Sequence, residues 1–194
     1  MNHSAEWIDH IKQQLARQKN PDQPTKPELT PAAVLLPLYL DTSIWKLLYI
    51  RRGNQGEFHR GEVAFPGGAV EPEDTDRIAT ALRETYEELG IAASEVEILG
   101  QMPVHETVTG YIVTPVVGLL QWPVSITRSQ AEVDRVFSIP LDWLMQKENS
   151  SIQKFDIPGR GQISTTVYKD FDGERLWGFS ARVTQQFLDI IKQK

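Results

Sequence analysis

Apolar residues crowd into two neighbouring stretches, Ala33 to Leu40 and Lys46 to Arg51, separated by Asp41-Thr42-Ser43. Runs of this length around a polar turn predict a β-hairpin. Trp7, Ile8, Ile11 and Leu15 share one helical face, which predicts a short amphipathic helix over 5–18. Pro21, Pro24, Pro27 and Pro31 mark 20–31 as a linker. Val63 to Phe65 reads as a short strand entering the Gly67-Gly68 turn. Ile78, Ala81, Leu82, Thr85 and Leu89 then recur at helical spacing. Asp74 or Thr75 can cap that helix, and Gly90 can close it. Strands are expected at Val96 to Pro103, Tyr111 to Leu120 and Glu132 to Ser138, with a helical turn over Leu141 to Lys147. Ile163 to Tyr168 and Leu176-Trp177 read as late strands around Asp172-Gly173. Val183, Phe187 and Ile190-Ile191 predict a final helix from Ala181 to Lys192. A mixed sheet packed between helices, of class α/β, accommodates this order. The expected division is 1–31, helix and Pro-rich linker, and 32–194, one folded domain.

Composition narrows the function. A chain of 194 residues can bury a sizeable core. The net charge of −6 disfavours nucleic-acid binding, because phosphate backbones require a basic surface. With no cysteine, thiolate chemistry and disulfides are excluded. The longest apolar run, Ala32 to Leu40, contains Pro37 and is too short to cross a membrane. The N-terminus carries Glu6, Asp9 and His10 rather than the blocks of a signal peptide, so a cytoplasmic location is expected. The first helix could pack on the domain, form a homodimer contact or act as a tail; packing is the expectation.

The chemistry concentrates in Arg83-Glu84-Thr85-Tyr86-Glu87-Glu88-Leu89-Gly90. At 3.6 residues per turn Glu84 lies beneath Glu88, with Glu87 beside them. Glutamate pairs on helices are commonly just a solvated face. Here the helix is well delimited, and Gly67-Gly68 lets backbone approach a ligand closely. Crowded carboxylates of this kind suit a hard divalent cation, Mg²⁺ or Mn²⁺.

Gly68 through Ile91 resembles the Nudix box, Gly-x5-Glu-x7-Arg-Glu-U-x-Glu-Glu-x-Gly-U. Arg83, Glu84, Glu87, Glu88 and Gly90 match its second half. In the first half Asp74 replaces the usual Glu, eight residues instead of seven precede Arg83, and Thr85 takes an aliphatic place. Leu47, Leu48, Arg51, Gly61 and Phe65 to Gly68 are similar to the segment that precedes the box in coenzyme A pyrophosphatases. Tyr49, Arg52 and Glu57 depart from that pattern.

The resemblance implies a Nudix-type α/β/α sandwich and metal-dependent hydrolysis of the diphosphate in coenzyme A or its thioesters. The products would be 3′,5′-ADP and 4′-phosphopantetheine or its acyl form. It implies Glu84, Glu88, Glu87 and the Gly68 carbonyl as ligands of Mg²⁺ or Mn²⁺, and Arg83 as partner of a box acid. Candidate general bases are Glu87, Glu106, Glu132 and Asp134. Arg51, Arg52 and Arg60 are candidates for gripping the polyanion, while His59 and His105 could contact phosphate. Phe65 is expected in the core. Two rivals stand: a Nudix enzyme acting on ADP-ribose or another nucleoside diphosphate derivative, and a non-catalytic sensor on the same scaffold. The intact acids argue against the sensor.

Overall fold

Side chains on a strand alternate between faces, and the central strand of this protein is apolar on both. In the computed structural model, which describes residues 2–18, 28–53, 61–157 and 161–193, that strand is β1 (Thr30–Asp41). Leu36 and Leu38 enter one core cluster, and Ala33, Leu35 and Tyr39 the other. The turn after β1 holds Thr42 and Ser43 at positive φ, matching the twist of a hairpin with β2 (Ile44–Arg52). β2 alternates in the same way: Leu47 and Tyr49 face one cluster, Leu48 and Ile50 the other.

β3 (Val63–Ala64) pairs with the end of β2, and β4 (Gly67–Ala69) pairs with the start of β1. Helix α2 (Arg77–Leu89) follows. β5 (Val96–Gln101) and β6 (His105–Glu106) both pair with β7 (Tyr111–Leu120), which runs parallel to β1. β8 (Val133–Pro140) pairs antiparallel with β2. Its end passes into the short helix α3 (Leu141–Met145). The sheet is therefore mixed, as the sequence predicts. α2 covers one face. The other is covered by α1 (Asn2–Ala16) and α4 (Gly178–Ile191).

α1 is a packing element. Ile8, Ile11 and Leu15 are buried beside Phe187 and Ile191, and the His10 Nε2 donates to the Ile191 carbonyl at 3.0 Å. Each such buried aliphatic side chain contributes about 1.5–3 kcal/mol. The linker expected over 20–31 lies largely outside the described residues, which resume at 28. No helix among the described residues is long and apolar enough to cross a membrane.

Two expectations change. β9 (Ser150–Ile157), not foreseen, forms a two-stranded sheet with β10 (Gly161–Tyr168). Leu176-Trp177 is not a strand: Trp177 makes an isolated bridge to Val167 and then precedes α4.

Candidate active site

Asp76 caps α2, its side chain accepting from the Ala79 N–H at 2.8 Å. The expectation of Asp74 or Thr75 fails because Asp74 is engaged elsewhere. Arg83 lays a fork on it: Nε and Nη2 each donate to an Asp74 oxygen at 3.0 Å. This planar pairing holds the Asp74 carboxyl well below the usual carboxylate range. Asp74 also accepts from the Glu71 N–H, closing the turn that the lengthened loop makes before the helix. Arg83 Nη2 further donates to the Ala69 carbonyl, so one side chain ties α2 to β4. At the other end Gly90 adopts φ 71° and donates its N–H to the Tyr86 carbonyl, as expected of a left-handed cap.

α2 packs over β1 and β4, which puts its acids against the glycine turn. A Cβ on Gly68 would stand 2.4 Å from Glu84 Oε1, and one on Gly67 would stand 2.4 Å from the Ala33 carbonyl oxygen. Close approach thus requires glycine at both positions, and Gly67 in addition adopts φ 153°, which disfavours any side chain. Gly67 N–H donates to Glu88 Oε2 at 3.1 Å. Arg83 Nη1 donates to Glu84 Oε1 at 3.0 Å and to Glu87 Oε2 at 3.1 Å.

Glu88 does not stand beside the buried stripe of α2 but within it, 1% exposed. Burial pushes its carboxyl up to about 8, against the pull of Arg52 and the Gly67 N–H. Glu84 is raised too, chiefly by burial, with Glu87 and Glu132 adding like charge. Glu132 therefore acts on both acids. It comes from the segment that follows β7, where Thr127 N–H and Ser129 N–H donate to the Leu89 and Glu88 carbonyls at 2.8 Å. Gly53 N–H then donates to the Glu132 carbonyl.

As they stand, no group of three or more His, Asp or Glu side chains among the described residues closes around a cation. Arg83 holds oxygens of Glu84 and Glu87, and the Gly67 amide holds one of Glu88. The donor set nevertheless fits a divalent ion. Glu84 and Glu88 are hard oxygen donors, withdrawn from water, and mutually repulsive with Glu132.

Structure thus brings together Gly68, Arg83, Glu84, Glu87 and Glu88, and sets Arg52 beside Glu88. Arg51 lies apart. It follows Leu47 and Tyr49 in strand parity, toward the α4 side, where it pairs with Asp134 (Nε, 2.9 Å) and Glu174 (Nη1, 3.0 Å). That alternation was visible in the sequence. Asp134 is correspondingly drawn to Arg51. Glu106 lies on β6, three strand steps from Gly68 through Ala33, Thr114 and the neighbouring Ile112. Strand spacing makes that about 14 Å, too far for direct contact with the Gly68 turn. Its carbonyl accepts from Arg182. His105 faces α4, with its Nε2 2.6 Å from Gln186 Oε1, and burial lowers its pKa. Tyr49 and Phe65 stack in the core at 4.7 Å. Arg60, His59 and Glu57 fall outside the described residues.

The NUDIX domain profile matches residues 29–156. The uncharacterized Nudix hydrolase NudL of Photorhabdus laumondii is 39% identical over 161 residues, covering 83% of this chain and 84% of its own. The human mitochondrial coenzyme A diphosphatase NUDT8 is 36% identical over 164 residues, covering 82% of this chain and 69% of its own. Among solved structures, a MutT/nudix family protein from Enterococcus faecalis aligns with a TM-score of 0.55 at 18% identity, covering 100% of this chain and 76% of that one, a likeness of fold. With profile, relatives and acid-bearing helix in agreement, the chain belongs to the Nudix hydrolases, within the coenzyme A pyrophosphatase-like subfamily.

Proposed function

We propose that this enzyme hydrolyses the diphosphate bond of coenzyme A or acyl-coenzyme A in a divalent-metal-dependent reaction, releasing 3′,5′-ADP and (acyl-)4′-phosphopantetheine. The observation that carries the reaction type is the buried Glu88 beside Glu84 at the glycine turn, with little countercharge among the described residues. The substrate rests on the similarity to the human coenzyme A diphosphatase and on the segment from Leu47 to Gly68.

Glu84 and Glu88, with Glu87 and the Gly68 carbonyl, would hold Mg²⁺ or Mn²⁺. Such an ion neutralises diphosphate charge and lowers the pKa of bound water. Arg83 keeps α2 seated on β4 and its acids aimed at the turn. Arg52 supplies positive charge next to Glu88, where a diphosphate would arrive. Of the acids able to accept a proton, Glu87 stands on α2 itself and Glu132 faces both ligands. Glu106 sits at the far side of the same sheet and would serve across a bound substrate. Comparing Glu87→Gln, Glu106→Gln and Glu132→Gln under single-turnover conditions separates them, since loss of the base flattens the pH–rate profile.

A second reading, hydrolysis of ADP-ribose or a related nucleoside diphosphate, draws support from Arg51. This best match to the coenzyme A segment is held by Asp134 and Glu174 rather than turned toward the acids. Steady-state rates on a panel of diphosphates with Mg²⁺ and with Mn²⁺ decide between the two. Coenzyme A is expected to have the highest kcat/KM, and faster turnover of ADP-ribose would transfer the assignment.

A further inference from the structure

A groove of about 530 Å³ runs beside β8. Leu48 and Val136 line its floor, Trp122 and Ile126 its far wall, and Arg128 and Asp134 its head. β8 pairs with β2 on one side, and no strand among the described residues pairs with its other side. The rim therefore carries backbone amide and carbonyl groups not used in a ladder. From Asp134 to Ser138 the strand offers about 13 Å of length.

The head of this groove adjoins the acids. Ser129, next to Arg128, donates its N–H to the Glu88 carbonyl, and Glu132 stands two residues before Asp134. Charge at the head is unbalanced. Asp134 is answered by Arg51. Arg128 donates Nη1 to the Val133 carbonyl and has no carboxylate partner among the described residues. The groove is thus cationic where it meets the acids, apolar along its length, and edged with peptide groups.

We propose that this groove holds the phosphopantetheine arm of the substrate. The arm has matching chemistry in matching order: a phosphate for Arg128, a dimethyl-bearing carbon chain for Leu48, Ile126 and Val136, and two amides for the free edge of β8. A thioester chain would leave past Trp122. This assignment rests on the coenzyme A reading and adds to it the end of the molecule that the enzyme grips by shape.

Ile126→Glu places a charge on the apolar wall, and Ile126→Trp fills the groove without one. The readout is inhibition of coenzyme A turnover by each half of the substrate. In both variants the inhibition constant of 4′-phosphopantetheine is expected to rise about tenfold, or about 1.4 kcal/mol, and that of 3′,5′-ADP to rise far less. Equal rises for both halves, no rise for either, or no inhibition of the unaltered enzyme by 4′-phosphopantetheine would overturn the assignment. Should Ile126→Glu fail to fold by circular dichroism, Ile126→Trp decides alone. An unaltered enzyme that does not turn over coenzyme A refutes the substrate reading itself, and the groove assignment with it. Turnover with unshifted inhibition constants refutes the groove alone.

Discussion

Two buried glutamates stand on opposite faces of the sheet, and their surroundings differ. Glu174, 5% exposed, accepts from Arg51 Nη1 at 3.0 Å and Arg135 Nη1 at 2.9 Å. Asp134 and Asp172 complete that cluster by pairing with the same two arginines. Glu88, 1% exposed, accepts one backbone N–H among the described residues and is drawn by the charge of Arg52, while Glu84 and Glu132 repel it. Burial of a charge is costly unless hydrogen bonds and countercharge replace water. Glu174 has both within the chain and fastens β2 and β8 to the turn at 171–174. Among the described residues Glu88 has less of both, and that deficit is what a cationic ligand would supply. Similar burial leaves one carboxylate compensated within the protein and the other, on the proposed function, open to a metal ion.

The largest test of this contrast is Glu88→Gln. Turnover is expected to fall by more than about 100-fold, the upper range for loss of groups that merely support a metal ligand. The fold should survive, because an amide can still accept from Gly67. Undiminished turnover in a folded variant would remove Glu88 from the site.

Next in size is the effect of pH on metal-free stability. The folded-state pKa of Glu88, about 8, lies above its unfolded value. Its contribution is therefore fully present below the unfolded pKa, declines as the unfolded chain alone ionises, and is lost as pH rises through 8. Between pH 5 and 8 the loss is on the order of 3 kcal/mol. Mg²⁺ favours the carboxylate form, so the melting-temperature gain on adding it should grow from pH 6 to pH 8. Glu88→Gln should flatten both trends relative to the unaltered enzyme, and retained slopes would assign them to other groups.

How far each glutamate could be read from sequence differs for a physical reason. The acids of α2 announce themselves through local spacing, because a helix fixes which residues share a face. The hairpin, the Gly90 cap and the core position of Phe65 follow from equally local rules. Glu174 sits in a loop, and its two arginine partners lie 123 and 39 residues away, so only the fold reveals it. The burial of Glu88 was hidden likewise: the glycine turn that covers it arrives through β4 pairing with β1. Asp74 has the position and chemistry of a cap, and only the fold shows that Arg83 takes it. β9 carries no sustained apolar alternation in the sequence because Ser150 to Ile157 is mostly polar and exposed, pairing in a sheet of its own.

Replacing Glu174 tests the compensated side. Glu174→Gln leaves two guanidiniums without their shared carboxylate. Hydrogen bonds to charged groups contribute about 1.5–3 kcal/mol, and both arginines are about one-third exposed, so a loss near the lower end is expected. For a chain of this size that lowers Tm by roughly 3–6 °C. Turnover should fall far less than in Glu88→Gln. A rate loss as large, without unfolding, would make the Glu174 cluster part of the chemistry.

The smallest effect is expected from Asp134→Asn. The Arg51–Asp134 pair is substantially exposed, so its loss should cost less than about 1 kcal/mol. Its value lies in what it does to Arg51, which would keep Glu174 but lose the partner that draws it toward β8. If Arg51 serves only to fasten strands, KM for coenzyme A stays the same and Tm falls by a few degrees at most. If Arg51 can turn to the substrate, releasing it lowers KM, most clearly at low ionic strength where a guanidinium–phosphate attraction is least screened. A KM that falls and then recovers in 0.5 M salt would place Arg51 with the active-site face after all, and the division between compensated and uncompensated charge would run through that residue rather than between the two faces.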